Sequence, residues 1–301
     1  MHVPVLLKEA IEYLNPKEGD IILDATFGGG GHAAEILKRI GEKGKLIGLD
    51  QDASHQPSAV SYQIIFINAN FRDLDKVLAG ERIEKIDGAL FDLGFSSDQL
   101  DESGRGFSFQ KDEPLLMTLK SEIESGDLTA RGIINQWSEK EIADVLYKYG
   151  EERYSRRIAK AISEKRKVKK IETTFDLVDV IRSSVPKNYR NGRINCATRT
   201  FQALRITVND ELGALEEGLK KAWDALDGEG RLVVISFHSL EDRIVKNFYR
   251  DKAKAGLPDG KASEGKILTK KPIIPTEEEI KNNQRSRSAK MRAIIKVMSN
   301  K

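Results

Sequence analysis

Apolar and polar positions follow two different periods along this chain, and the two periods predict helices and strands in alternation. Apolar residues that recur every three or four positions predict amphipathic helices, whereas short continuous apolar runs are typical of buried strands. Five such runs occupy residues 21–23, 45–49, 64–67, 86–91 and 231–235. Because helical or loop crossovers separate the first four runs, we predict an α/β fold with a doubly wound, mostly parallel sheet.

The middle of the chain has a different pattern of apolar and polar residues. Residues 115–186 have an almost entirely helical pattern, and a second helical stretch continues from Ala197 to Leu226. We therefore predict an all-helical domain inserted between the fourth and fifth strands. The predicted boundaries are 1–104 and 205–301 for the sheet domain and 105–204 for the insert. Residues 289–297 are apolar enough for a last strand, which we place at the edge of the sheet.

The stretch from Ile21 to His32, IILDATFGGGGH, joins a predicted strand to a predicted helix through four consecutive glycines. This geometry lets a nucleotide-like ligand press against bare backbone. Asp50 ends the second strand, 22 residues beyond Gly28, where a carboxylate can accept both hydroxyls of a ribose. Gly28, Gly30 and Ala33 also satisfy the dinucleotide fingerprint G-x-G-x-x-A, so these residues alone leave a nicotinamide cofactor open.

Ligands of open parallel sheets lie outside the carboxyl ends of the strands, and we call this edge of the sheet the rim. Other strands also end in residues suited to a ligand at the rim. Phe71 follows the third strand, where it can either lie on a flat base or pack in the core. Asp92 ends the fourth strand, where a cofactor's reacting group would lie, although a helix cap or turn carboxylate has the same pattern. The fifth strand ends in SFHS, residues 236–239, and we expect His238 and Ser239 to contact substrate. Both serines can alternatively cap the following helix, and His238 can alternatively be a hydrogen-bonded histidine at the strand end.

Composition describes a globular protein with a heavily charged surface, since 39% of its 301 residues are hydrophobic and 32% are charged. The single cysteine, Cys196, excludes an internal disulfide, and the four scattered histidines show no metal-ligand spacing. We therefore expect no metal site. No apolar run approaches the roughly 20 residues of a membrane span, and the N-terminus lacks a secretory pattern. These features predict a cytoplasmic protein with no membrane partner.

The net charge is only +3, but the basic residues are unevenly distributed. Residues 153–170 contain nine Lys or Arg and one acid, and residues 281–296 contain six and no acid. One such run is typical of a solvated helix face, whereas two in a nearly neutral chain favour a polyanion, usually nucleic acid. In the second run we expect Arg285, Arg287 and Lys290 to contact RNA.

Two cofactors fit the predicted rim. A nicotinamide dehydrogenase needs a proton donor and a carbonyl-polarising group near the hydride, whereas a methyltransferase needs only the sulfonium of S-adenosylmethionine near a nucleophile. The turn DATFGGG, which begins at Asp24, is more similar to the first motif of methyltransferases. In the loop DLGFSS that begins at Asp92, Ser96 and Ser97 can accept hydrogen bonds from an exocyclic amine. Cys196 lies outside the rim motifs, which disfavours covalent attack on a pyrimidine ring.

Several longer segments carry a specific resemblance. In chain order they are DATFGGGGH, ANF, DLGFSSDQLD, RGFSF, ATRTFQALRI, VNDEL, ISFHSLEDRIVK and NNQRSRSAKMR. They resemble the bacterial 16S ribosomal RNA cytosine-N4-methyltransferase family (RsmH, formerly MraW) over nearly the whole chain. The resemblance implies a class I, Rossmann-like methyltransferase domain with an inserted helical domain for recognition of RNA. It also implies S-adenosylmethionine-dependent methylation of the exocyclic N4 of a cytidine in the decoding region of small-subunit RNA.

The resemblance assigns roles to residues of this chain. The implied cofactor-binding residues are Gly30, Gly31, His32, Asp50, Phe71, Asp92 and Gln99, with Asp92 also catalytic. Ser96 and Ser97 are expected on the substrate side, and so is Arg199 in the segment ATRTFQALRI. Arg199 and its neighbour Arg205 can alternatively pair with acids.

The chain also departs from the family pattern. After RGFSF the family usually has Gly-Pro-Leu-Asp-Met-Arg, where residues 113–118 here are EPLLMT. This change motivates an alternative, a catalytically weakened RNA-binding protein of ribosome assembly. A second alternative is an amino methyltransferase that acts on DNA. The expected partner is small-subunit ribosomal RNA or the assembling subunit, and a homodimer is left open.

Overall fold

The chain forms two compact units in the structure, which is a computed structural model. It describes residues 4–52, 63–94, 103–120, 123–254 and 263–298. The first unit, called the sheet unit here, comprises Met1–Gly94 and Leu212–Lys301, and the second, the helical unit, comprises Phe95–Glu211. In the part of the chain that the structure describes, no helix is long and apolar enough to cross a membrane.

A seven-stranded sheet organises the described residues of the sheet unit. Its strands are Ile21–Asp24 (β1), Lys45–Asp50 (β2), Ile64–Asn68 (β3), Ile86–Asp92 (β4), Leu226–Ser236 (β5), Gly265–Ile267 (β6) and Lys290–Lys296 (β7). Their order across the sheet is β3-β2-β1-β4-β5-β7-β6. β1 to β5 are parallel to one another, and β7 is antiparallel to both of its neighbours. The predicted mostly parallel sheet is confirmed, and its antiparallel β7 distinguishes it from the 3-2-1-4-5-6 order of dinucleotide-binding folds.

The last strand does not lie at the edge of the sheet, so that part of the prediction is wrong. β7 lies between β5 and β6, with Ala293 opposite Val233 and Ile294 opposite Ile267. The edge on that side of the sheet is β6, which the sequence pattern does not predict. A strand of three residues is too short to display a two-residue period, which is why the pattern missed it.

Helices pack on both faces of the sheet and form most of the helical unit. In the described residues they are Leu7–Leu14 (α1), Gly31–Ile40 (α2), Leu74–Gly80 (α3), Ala130–Gln136 (α4), Glu139–Gly150 (α5), Ser155–Val168 (α6), Thr174–Ser184 (α7), Lys187–Arg190 (α8), Thr198–Asn209 (α9), Glu211–Ala225 (α10), Ser239–Lys252 (α11) and Glu277–Asn282 (α12). Short 3₁₀ helices cover Phe71–Asp73 and Gln284–Ser288.

Consecutive strand residues point to opposite faces of the sheet, and both faces are buried. Ile22 and Leu90 pack in a cluster with α1 and α2, whereas Leu23 and Phe91 pack in a cluster with α3, α10 and α11. Burial of each such side chain contributes about 1.5–3 kcal/mol. Because both faces are fixed in this way, the carboxyl ends of β1, β2, β4 and β5 form one rigid rim.

The helical unit has its own core, in which residues such as Ile133, Leu146, Ile162 and Leu204 are fully buried. Arg205 makes two hydrogen bonds of 2.9 Å to the carboxylate of Glu211. The sequence places the boundaries of this unit at 104/105 and 204/205, whereas the structure divides the chain after Gly94 and Glu211. The difference at the second boundary arises because α9 and the Arg205–Glu211 pair belong to the helical core.

The segment EPLLMT, which departs from the family pattern, packs within the helical unit. Leu115 and Met117 are fully buried there, and the carboxylate of Glu113 accepts a hydrogen bond of 2.9 Å from the N–H of Gly106. The backbone of Glu113 exchanges further hydrogen bonds with Thr174 at the start of α7. These residues therefore stabilise the helical unit.

Candidate active site

The glycine turn between β1 and α2 adopts a backbone that favours glycine. Gly28 has a φ of +50° and Gly30, which precedes the first residue of α2, has a φ of +73°. A Cβ atom on Gly31 would lie 2.9 Å from the ring of Pro4, so space also requires glycine there. The turn consequently presents bare backbone at the carboxyl end of β1.

Asp50 at the end of β2 holds this turn in place. One carboxylate oxygen accepts the N–H of Gly28 at 2.7 Å, and the other accepts the N–H of Asp52 at 2.8 Å. A carboxylate has about four lone-pair positions, so these two bonds do not prevent it from accepting a ribose hydroxyl. Asp50 therefore shapes the turn in addition to the cofactor role predicted for it.

Three titratable side chains meet where β1, α2 and β4 come together, and we call Asp24, His32 and Asp92 the carboxylate–histidine cluster. Nδ1 of His32 lies 3.7 Å from Oδ2 of Asp92. Nε2 of His32 lies 3.1 Å from the carbonyl oxygen of Val5, just before α1. Asp24 and His32 are both buried, with 1% and 6% of their surface exposed. The cluster is thus almost closed to solvent.

Two carboxylate oxygens in this cluster have no partner among the described residues. They are Oδ2 of Asp24 and Oδ1 of Asp92, and both are buried. Burial raises the pKa of Asp24 to about 6, although the His32 imidazole opposes this. Burial also raises the pKa of Asp92 to about 7; the Gly94 amide opposes the shift, and the Glu241 carboxylate adds to it. Buried carboxylate oxygens without a hydrogen bond indicate a site that a cationic ligand would complete.

Phe71 lies at the carboxyl end of β3, as predicted, and packs against the core on one side. Its ring makes an edge-to-face contact with Phe91, with a distance of 5.5 Å between the ring centres. A Cβ atom on Gly218 of α10 would lie 2.6 Å from the same ring, so glycine makes room for it. Phe71 is half-buried, and the structure therefore shows the packing role that the sequence allowed.

The end of β5 is fixed by a hydrogen-bonded cap at the start of α11. Nδ1 of His238 accepts the N–H of Glu241 at 3.4 Å, and the Glu241 carboxylate accepts the N–H groups of Phe237 and His238. His238, not either serine, is therefore the N-cap of α11. Ser236 instead donates to the carbonyl of Lys290 on β7 at 3.2 Å.

Four of the predicted substrate residues line one cavity in the sheet unit. The cavity has a volume of about 360 Å³, and we call it the basic cavity. Its described lining residues are Phe237, His238, Ser239, Ile274, Pro275, Ile280, Arg287, Ser288, Ala289 and Lys290. The structure thus brings His238, Ser239, Arg287 and Lys290 together, while Arg285 is exposed on the neighbouring 3₁₀ helix.

Arg199 lies in the helical unit. Its guanidinium donates a hydrogen bond of 2.8 Å to the carbonyl of Glu151, at the end of α5. This hydrogen bond connects α9 to the end of α5. The contact of Arg199 with substrate stays a prediction. Ser96, Ser97 and Gln99 lie outside the described residues.

Asp24 belongs to the predicted methyltransferase motif, but the sequence alone assigns it no role. A carboxylate at the end of a buried strand was the available signal. The apolar wall of the basic cavity, Ile274 and Pro275, was missed because nothing in the local pattern distinguishes those residues from an ordinary loop.

The chain matches the MraW methylase family over residues 1–297. It is 48% identical to ribosomal RNA small subunit methyltransferase H of Heliobacterium mobile, over 98% of this chain and 99% of the relative. It is 46% identical to the protein of the same name from Clostridium botulinum strain 657, over 98% of this chain and 99% of the relative. A solved rRNA methylase from Streptococcus thermophilus is similar with a TM-score of 0.42 and 11% identity, over 99% of each chain.

Proposed function

The chain belongs to the MraW methylase family, and from that premise we propose that it methylates the exocyclic N4 of a cytidine in small-subunit ribosomal RNA. It is an S-adenosylmethionine-dependent methyltransferase whose substrate is that RNA. The observation that carries the proposal is the carboxylate–histidine cluster beside the glycine turn, because its two unpaired oxygens suit a cationic cofactor and an amine.

The residues of the rim fit the cofactor. The open backbone at Gly28 and Gly30 leaves room for its close approach, and Asp50, beside this turn, would accept the ribose hydroxyls. The unpaired oxygens of Asp24 and Asp92 are suited to positive charge. When bound, S-adenosylmethionine supplies a methyl group on a positively charged sulfur.

Asp92 is the residue that we assign to the reacting amine. An exocyclic amine attacks poorly because its lone pair is delocalised into the ring, and a carboxylate that accepts its N–H favours a more pyramidal nitrogen. An amine that gains a methyl group must also lose one proton. Asp92, with a pKa raised to about 7 by burial, can hold that proton at neutral pH.

His32 faces Asp92 with a ring nitrogen that carries no proton. The Val5 carbonyl can only accept a hydrogen bond, so the neutral imidazole carries its proton on Nε2. Nδ1 then presents a lone pair towards Asp92. Because burial lowers the pKa of His32, the imidazole is neutral when Asp92 takes up a proton.

The helical unit is proposed to bind the RNA backbone. The face of α6 carries five exposed cations, Arg156, Arg157, Lys160, Lys165 and Lys167. Lys160 is paired with Glu164 at 3.9 Å. For the other four the described part of the chain supplies no acidic partner, which supports a polyanion as their ligand. Action on ribosomal RNA supports a cytoplasmic location.

The test is transfer of a labelled methyl group. Small subunits from cells that lack this protein are incubated with the purified protein and labelled S-adenosylmethionine, and the RNA is digested to nucleosides. We expect the label in N4-methylcytidine. Label in another nucleoside would overturn the N4 assignment, and binding of subunits without any transfer would favour the weakened RNA-binding alternative. Transfer to DNA in preference to subunits would favour the DNA alternative.

A further inference from the structure

The basic cavity combines cations and hydroxyl groups with an apolar wall. Arg287 and Lys290 supply the charge, Ser239 and Ser288 supply hydroxyls, and none of the described lining residues is acidic. The apolar part of the lining includes Pro275 and Ile274, which keeps 65% of its surface exposed. A ligand with one anionic group and one flat apolar group would satisfy both the charged and the apolar lining.

Neighbouring acids neutralise the charge in the cavity only in part. Arg292 donates hydrogen bonds to both carboxylate oxygens of Asp242, at 2.7 and 3.2 Å. The ammonium group of Lys290 lies farther from the same carboxylate, at 3.7 Å. Arg287 is exposed and has no acidic partner in the described ranges. The Glu241 carboxylate already accepts the N–H groups of Phe237 and His238, so those two groups are not available to an anion. Arg287 and Lys290 are the cations of the described lining that can hold an anion.

The cavity is adjacent to the proposed reaction site. Phe237 lines the cavity, and its ring lies 2.8 Å from the position that a Cβ atom would take on Gly94. That same position on Gly94 lies 3.5 Å from Oδ1 of Asp92. One aromatic ring therefore separates the cavity from the carboxylate assigned to the amine.

The size of the cavity limits the ligand. Its volume of about 360 Å³ lies near the lower end of the range of small-molecule sites, on the order of 300–1,000 Å³. That space suits one nucleotide and excludes a folded RNA element. A cytidine must also leave its stack to reach Asp92, so its neighbour in the strand needs a place of its own.

We infer that the basic cavity holds the nucleotide next to the target cytidine, with its phosphate on Arg287 and Lys290 and its base against Ile274 and Pro275. This inference rests on the proposed function. It goes further by naming which part of the RNA lies on this surface.

A site-directed crosslink tests the position. Cys196 is the one cysteine of the chain and is buried, so Ile274→Cys introduces an exposed thiol that can carry a photoactivatable azidophenacyl group. Unmethylated small subunits are irradiated with this protein, and crosslinks are mapped by stops of reverse transcription. We expect stops within about two nucleotides of the target cytidine. Lys43→Cys, at the opposite end of the strands, is the control and should not give them.

Kinetics test the phosphate contact on the same subunits. Arg287→Ala should raise KM for subunits roughly tenfold, and Arg287→Lys should recover part of that loss. Arg39→Ala, another exposed arginine of the sheet unit, should leave KM unchanged. The inference would be overturned if the crosslinked protein gave no stops or gave them only at distant nucleotides. An unchanged KM for Arg287→Ala would overturn it as well. Normal transfer by the unmodified protein in the same assay would show that the proposed function itself still holds.

Discussion

Nδ1 of His32 faces Oδ2 of Asp92 across 3.7 Å, while the other ring nitrogen of His32 is held by the carbonyl of Val5. The imidazole proton is therefore fixed on the side away from Asp92. At 3.7 Å the bare Nδ1 is not hydrogen-bonded to Asp92, so a proton taken up by Asp92 stays on its carboxyl group. This relationship links the N-terminal segment, α2 and β4 in one proton-handling site.

Affinity for S-adenosylmethionine should increase with pH. The pKa values of Asp24 and Asp92 are raised to about 6 and about 7, so both carboxyls are largely neutral at pH 5.5 and charged at pH 8. Only the charged forms attract a cationic ligand. Calorimetric titration between pH 5.5 and 8 should show a gain of roughly tenfold or more. Asp92→Asn should flatten the upper part of that curve, whereas the exposed control Asp144→Asn should leave it unchanged.

Stability of the cofactor-free protein should change in the opposite direction. The pKa of Asp92 is about 7 in the folded protein, against 3.8 as its ordinary value, so the folded state binds the proton more tightly. This group therefore lowers stability as pH rises from about 4 to about 7. Asp92→Asn removes a buried charge and should stabilise the protein at pH 8 by roughly 1–3 kcal/mol, with a smaller gain at pH 5. Thermal unfolding at the two pH values measures this, and a gain that is equal at both would contradict the assignment.

Asp50→Ala should weaken cofactor binding by roughly 1.5–3 kcal/mol, because it removes a charged acceptor for ribose hydroxyls. The same change leaves the N–H of Gly28 without its partner at 2.7 Å, so the turn loosens as well. Titration with S-adenosylmethionine measures the loss, and NAD should not compete. Asp50→Asn keeps one acceptor oxygen for Gly28 and should lose less. Equal affinities in all three proteins would remove Asp50 from the site.

Replacement of Arg285, Arg287 and Lys290 together by Glu should weaken RNA binding and flatten its salt dependence. Each phosphate contact on a single strand contributes about −0.7 to the slope of the logarithm of the binding constant against the logarithm of the salt concentration. Loss of three contacts should therefore make this slope less steep by about 2. Affinity for S-adenosylmethionine should stay nearly the same. Binding is measured by fluorescence anisotropy over a range of salt concentrations. An untouched RNA affinity would make residues 281–296 a solvated surface only.

Local sequence patterns were sufficient to predict most strands of the sheet unit. The runs that predicted β1 to β4 end within one residue of the observed strands, because a buried parallel strand is a short apolar run with a polar end. Their polar ends, Asp50 and Asp92, are the residues that lie at the rim. Topology then places them together without any knowledge of side-chain contacts.

Contacts between distant segments could not be predicted in this way. The edge strand β6 pairs with β7 over a long sequence separation, and its three residues have no detectable period. The hydrogen bond from Asp50 to Gly28 and the approach of His32 to Asp92 depend on how elements pack. Arg205 could pair with acid or RNA by sequence, and only the structure shows Glu211 beside it.

The central claim is that this protein methylates cytidine N4 in small-subunit RNA and that Asp92 is its catalytic residue. The most direct measurement is mass spectrometry of that RNA from cells that lack this protein and are supplied with a wild-type, Asp92→Asn or Asp144→Asn copy. We predict N4-methylcytidine with the wild-type and Asp144→Asn copies, and a rate of methylation about two orders of magnitude lower with a folded Asp92→Asn protein. N4-methylcytidine at the normal level in cells without the protein would contradict the function. The normal level and rate with Asp92→Asn would contradict the role of Asp92.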